Sequence, residues 1–136
     1  MKEEKYTIEL TKTQLKTIRS ACEFYSRFSA GQMELPLELY HKLCDNKSFL
    51  DKRNSISNLF AEIKVLTLEL NRNESLAIGS KELIEEAKTC YDIYRPILEL
   101  FTKEWEEQHP ESNSKNVYSF PGLTYSKEGR IIIKKI

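Results

Sequence analysis

The sequence predicts an α+β protein, mainly helical, in which long amphipathic helices carry a small antiparallel sheet built from the N- and C-terminal strands. Three observations predict it. Ile84, Ala87, Tyr91, Tyr94, Leu98, Phe101 and Trp105 recur at alternating spacings of three and four, the seam of a long helix packed at a shallow angle. Thr11-Lys12-Thr13-Gln14 matches a capping box ahead of a second apolar helical face. Short period-two or β-branched runs lie near both ends, Tyr6-Ile8-Leu10 and Arg130 to Ile133.

In chain order, Tyr6, Ile8 and Leu10 alternate with Lys5, Thr7 and Glu9, so a strand is expected over 5–10. The capping box then opens a helix over about 12–29, with Leu15, Ile18, Cys22 and Tyr25 on its apolar face and Gly31 as its left-handed stop. Pro36 suits the first turn of a short helix bearing Leu37, Leu39, Tyr40 and Leu43. A third helix is expected over about 50–70, its core face made of Ile56, Leu59, Phe60, Ile63 and Leu66. Asn71 to Ser75 are turn formers. Ser80 is placed as the N-cap of the longest helix, about 80–108. Pro96 inside it removes one backbone donor, so a kink is expected near Asp92 to Arg95 and a freed carbonyl must find a partner. Beyond Pro110 a hairpin is expected over about 117–135, turning at Lys127-Glu128-Gly129. The 136 residues fit one domain, 1–136, with a real core.

Lys and Arg total 21, and Asp and Glu total 21, so the formal net charge is zero. Such a chain lacks the broad positive field that non-specific nucleic-acid binding needs, and neither DNA nor RNA is expected as a partner. The charge is uneven: acids exceed bases over 81–111, whereas Lys115, Lys127, Arg130, Lys134 and Lys135 face only Glu128 near the C-terminus. That basic tail reads as solvated or as a phosphate contact. Cys22, Cys44 and Cys90 have no ligand spacing, and His41 and His109 stand apart, so no metal is expected. No signal peptide and no membrane-spanning run is evident, and a cytoplasmic protein is expected.

Two clusters carry binding chemistry. Tyr25-Ser26-Arg27-Phe28-Ser29-Ala30-Gly31-Gln32 puts aromatics, a guanidinium and an amide at one helix end. Tyr91-Asp92-Ile93-Tyr94-Arg95 lies in the long helix. Rings stack on a base, and arginine forks onto phosphate. Taken alone, Arg27 reads more readily as a surface cation at a helix C-terminus, and Tyr91 and Tyr94 as core. Asp92 either pairs with Arg95 at i, i+3 or accepts from a ribose hydroxyl. There is no P-loop, GxGxxG, GxSxG or HExxH, and no general-base argument from two scattered histidines, so an enzyme is not expected.

Three stretches resemble the first family of Thoeris anti-defence proteins, short phage proteins. They are Ile8 to Leu15, Phe24-Tyr25-Ser26-Arg27 with Gly31-Gln32, and Glu86-Ala87-Lys88 followed by Tyr91-Asp92-Ile93-Tyr94; order and separation agree over about 6–98. The resemblance implies a sponge that sequesters cyclic ADP-ribose-type immune signals or cyclic oligonucleotides in the host cytoplasm, without cofactor or cleavage. It also implies a homo-oligomer, dimer or higher, with ligand near the subunit interface, a role that suits the heptad seam. By position, Tyr25, Arg27, Gln32, Tyr91, Asp92 and Tyr94 bind the ligand, with Arg95 as the nearby base. The chain departs from the family in two places: Ser75-Leu76-Ala77-Ile78 lacks the aromatic-glycine pair before the long helix, and Leu98 stands where a base is usual. The rival readings are a helical protein-protein interaction module and, third, a nucleotide hydrolase.

Overall fold

The capping box at Thr11 forms as the sequence predicts. In a computed structural model that describes residues 3–44, 46–111 and 123–136, the Thr11 hydroxyl accepts from the Gln14 N–H at 3.1 Å, and the Gln14 side chain accepts from the Thr11 N–H at 2.9 Å. Two of the orphan donors at the start of a helix are thereby satisfied. From it α1 runs over Lys12–Ser29, followed by α2 (Glu34–Leu43), α3 (Asn46–Leu68) and α4 (Glu85–Gln108). The described residues contain no strand, so the fold is all-α and the expected α+β class is incorrect.

The reason lies in where the terminal segments find their partners. Residues 3–10 carry the predicted alternation, yet Tyr6 and Ile8 stand exposed beside no neighbouring strand. Part of the expected hairpin, residues 117–122, lies outside the described residues. The remainder follows α4 and sends hydrogen bonds to that helix rather than to a ladder. Asp92 is the main anchor. Its carboxylate accepts from the Ser126 N–H at 2.7 Å, the Ser126 hydroxyl at 2.6 Å and the Tyr125 N–H at 3.2 Å. Pro96 has no N–H to give the Asp92 carbonyl four residues back. That freed carbonyl accepts from the Ile131 N–H at 3.4 Å. Helix α4 continues across Pro96, which is buried within it.

Two bases of the tail, Arg130 and Lys135, pair with acids of α4. Arg130 forms a two-pronged ion pair with Glu99. The Lys127 N–H donates to Glu85 at 2.6 Å, and Lys135 lies 4.0 Å from Glu104. Composition allows a solvated tail or a phosphate contact; Arg130 instead pairs with Glu99, while Lys135 stays largely exposed.

Helix α4 starts a turn later than predicted. Ser80 accepts from the Glu82 N–H at 3.2 Å, a local turn that competes with helix. Leu83 then enters the core, and Glu85 and Glu86 occupy the first helical turn, where the dipole favours acids. The heptad seam packs against α1 of the same chain. Ala87 and Tyr94 are buried there, and Lys12 and Lys16 sit over the Phe101 ring at 5.6 and 5.7 Å. Cys22 and Cys90 meet across this interface as free thiols; burial, reinforced by Cys90, pushes Cys22 up to about 11.

Helix α3 packs on α2 alone, with Phe49 buried against the His41 ring at 4.6 Å. Its predicted core face is only half used. Ile56 and Phe60 are half-buried, while Leu59 is 60% and Leu66 80% exposed. The link back to the core is Lys64, buried, whose ammonium donates to the Glu74 carbonyl at 2.7 Å.

Gly31 is the most closely surrounded of the described glycines. The Gln32 N–H reaches the Arg27 carbonyl and the Gly31 N–H the Phe28 carbonyl, the paired bonds of a Schellman stop. That motif holds Gly31 at φ +86°, and a Cβ there would meet Lys64 Cδ at 2.8 Å. Lys64 is tied at both ends, so it yields poorly. Gly31→Ala should therefore lose on the order of 2 kcal/mol and lower Tm by roughly 5–10 °C in calorimetry. Gly129→Ala is the control, because it shares a positive φ of +80° but has nothing within 4 Å. Equal losses for the two would mean that packing against Lys64 contributes nothing.

Candidate functional site

The Schellman stop turns Gln32 back toward α1, where its amide oxygen accepts from Arg27 Nη1 at 2.8 Å. Arg27 Nε donates to Glu23 Oε1 at 3.0 Å, and the other oxygen of Glu23 lies 3.1 Å from Arg19 Nη2. Arg19, Glu23 and Arg27 thus form an i, i+4 ladder along α1. Glu23 and Gln32 set the plane of the Arg27 guanidinium while using two of its five N–H groups.

Opposite stands α4. Tyr91, Tyr94 and Arg95 share a face through i, i+3 and i+4 spacing. The Tyr91 and Tyr94 rings meet edge to face at 5.2 Å, and the Arg95 guanidinium carbon lies 5.7 Å from the Tyr91 ring centre. Tyr125 of the tail closes on the far edge of Tyr91, also at 5.2 Å and perpendicular. The loop at 75–78 forms the remaining wall, held by the Leu76 N–H on the Ala30 carbonyl at 2.7 Å.

Between these elements lies a cleft of about 400 Å³. Arg27, Gln32, Tyr91, Tyr94 and Arg95, all predicted site residues, line it together with Ser26, Ala30 and the 75–78 loop. Tyr25 and Asp92 do not line it. Tyr25 is exposed on another face of α1, and Asp92 is fully buried under the tail. Sequence reasoning missed Glu23, which orients Arg27, and Tyr125, which backs Tyr91. The i, i+4 spacing of Arg19, Glu23 and Arg27 was the available signal for the first; no local signal marks the second.

Burial raises the Tyr94 phenol to about 12, against a partial lowering by Arg27. Burial also raises Tyr91, which Arg95 partly offsets. The cleft therefore presents neutral hydroxyls beside its guanidinium groups throughout the physiological range. A phenol raised in the folded state binds its proton more tightly there than in the unfolded chain. Its contribution is complete below pH 10 and is lost as pH rises through about 12. Tyr94→Phe should flatten that part of the alkaline unfolding curve. In a phenolate absorbance titration Tyr94 should ionise last; a titration with no component above the ordinary tyrosine range would contradict its burial beside Tyr91.

Among the described residues no group of three or more His, Cys, Asp or Glu side chains comes together as a metal site requires, and no helix is long and apolar enough to cross a membrane. Comparison with protein-family models, with curated proteins and with solved structures found no match.

Proposed function

We propose that this protein binds and sequesters a small anionic nucleotide signal without cleaving it, and that the signal is a cyclic nucleotide of the cyclic ADP-ribose or cyclic oligonucleotide type. The observation that carries this reading is the cleft in which Arg27 of α1 and Gln32, just past its end, face Tyr91, Tyr94 and Arg95 from α4. Guanidinium groups grip phosphate, and the tyrosine rings offer faces and edges to a base. The volume falls within the usual range of small-molecule sites, roughly 300–1,000 Å³. The lining contains no carboxylate, histidine or cysteine, the groups that most often act as general base or nucleophile. Resemblance to phage anti-defence sponges supplies the biological setting, a host cytoplasm in which an immune signal is drained. Leu76 lines the wall where that family carries an aromatic, so stacking falls to the tyrosines of α4.

The test is to incubate purified protein with cyclic ADP-ribose isomers and cyclic dinucleotides, filter, heat the protein fraction, and run chromatography on both fractions. Depletion followed by intact release supports sequestration. A changed product would make the protein a hydrolase, and no depletion across the panel would overturn the proposal.

A second reading, a protein-protein interaction module, is favoured by one observation: Leu43, Leu59 and Leu66 on α2 and α3 are 60–80% exposed. It predicts that Leu66→Glu abolishes partner capture while leaving nucleotide retention unchanged.

A further inference from the structure

Residues 3–10, ahead of α1, form an arm with no backbone partner among the described residues. Among the described residues no backbone hydrogen bond reaches residues 3–10. The arm is nonetheless extended. The Tyr6 hydroxyl donates to Glu4 at 3.1 Å and Lys5 lies 3.7 Å from Glu3, and contacts between side chains two apart mark one face of an extended chain. Tyr6 is 82%, Ile8 74% and Leu10 41% exposed, all on the same face by period two. Leu10 also lines a shallow cleft with Thr13, Gln14, Thr17 and Ile18 at the start of α1, so the apolar face continues onto the helix. A segment with free N–H and C=O groups and an apolar face is a template for strand pairing with another chain.

We infer that this arm is a homodimer interface, pairing antiparallel with the same arm of a second copy about a twofold axis at Thr7. The sequence is self-complementary in that register. Thr7 faces Thr7, Tyr6 faces Ile8, and Lys5 faces Glu9, so an aromatic, β-branched pair and an opposite-charge pair each occur twice. Registers displaced by one residue mix the apolar and polar faces. The register with Ile8 on Ile8 keeps the faces but puts Thr7 against Glu9, and the register with Tyr6 on Tyr6 sets Glu3 against Glu9. Charge complementarity therefore selects a single alignment. The two-stranded ribbon exists only between copies, and it leaves the α1–α4 seam inside each chain, where α1 already covers it. The apolar face of the ribbon, Tyr6 and Ile8 from both arms, then lies toward the clefts at the two α1 N-termini.

Sedimentation equilibrium of the full chain and of charge variants tests this. The wild type should dimerise. Lys5→Glu sets two like-charge pairs across the ribbon and should weaken the dimer by about tenfold or more. Glu9→Lys should do the same, and the double variant Lys5→Glu/Glu9→Lys should restore affinity to within about threefold, because both partners of each pair are exchanged together. Circular dichroism should not change in any variant, since among the described residues the Lys5 ion pair stays within the arm and no backbone hydrogen bond ties residues 3–10 to the helices. A monomeric wild type, a dimer insensitive to Lys5→Glu, or a double variant as weak as the single ones would each overturn the proposal.

Discussion

Replacing Asp92 by alanine should release residues 123–136 from α4 while leaving α1 to α4 folded. The carboxylate is fully buried and gathers the Tyr125 N–H, the Ser126 N–H and the Ser126 hydroxyl. Bonds to a charged acceptor contribute roughly 1.5–3 kcal/mol each, and they are not additive here because they dock one segment. The loss cannot exceed what docking of that segment contributes, so global stability should fall by on the order of 3 kcal/mol. The segment retains the Arg130–Glu99 pair and the Ile131 bond to the Asp92 carbonyl, and neither reproduces the lost cluster. Trypsin reads the result directly, because Lys127 and Arg130 lie inside the released segment. Both should become cleavable in Asp92→Ala at protease levels that spare the wild type. Asp92→Asn should behave similarly: its amide keeps one acceptor for Ser126 but turns a donor toward the Tyr125 N–H. Unchanged protection of Lys127 would refute the anchoring role.

That anchor shows which parts of the fold could be read from the chain and which could not. The capping box and the glycine stop of α1 are local, with donors and acceptors within five residues, and both form as written. The freed carbonyl opposite Pro96 was equally legible, because proline chemistry fixes which acceptor is orphaned. Its partner was not, since Ile131 lies far along the chain in a segment that carries a strand pattern. Alternation in Tyr6-Ile8-Leu10 and the β-branched run before Ile133 signal an extended backbone, yet neither forms a strand among the described residues. A sheet needs a second statement, which extended segment lies beside which, and period two says nothing about that. The heptad seam has the same limit. It marks an apolar face of α4 but cannot tell whether α1 or another chain covers it. Ser80 was misread because its hydroxyl serves a tight turn to Glu82 as readily as a helix start.

The site divides along helical geometry. Tyr91, Tyr94 and Arg95 fall within a narrow arc at about 100° per residue, and they line one cleft. Asp92 stands at the edge of that arc, about 100° from Tyr91 but only about 60° from Arg95, so rotation alone does not exclude it. Its place under the tail follows from the bonds it accepts from Tyr125 and Ser126. Tyr25, by contrast, is displaced by about 200° from Arg27 and points away from the cleft. For Tyr25, proximity in sequence groups side chains that periodicity separates. What periodicity could not supply is the meeting of the α1 end with the middle of α4, which depends on α1 and α4 packing over their length and on Leu76 bonding to the Ala30 carbonyl.

The largest functional effect is expected at Arg27. Arg27→Ala should weaken retention of the cyclic ADP-ribose isomers by on the order of 100-fold in calorimetric titration, since each charge-assisted bond to phosphate contributes about 1.5–3 kcal/mol and 1.4 kcal/mol is a factor of ten. The fold should survive. The Arg27 side chain is 43% exposed, its ion pair with Glu23 is a surface i, i+4 contact, and its benefit to the α1 dipole is under about 1 kcal/mol. Arg27→Lys separates two roles. Lysine keeps the charge but cannot hold Gln32 and Glu23 in one plane while offering further N–H groups to a phosphate. An intermediate loss, about tenfold, is expected if the fork matters. Wild-type affinity in Arg27→Lys would reduce the site to a point charge. Undiminished binding in Arg27→Ala would leave Arg27 as a helix-end residue that orders Gln32, and would move the grip on the anion to Arg95 and the tyrosines of α4.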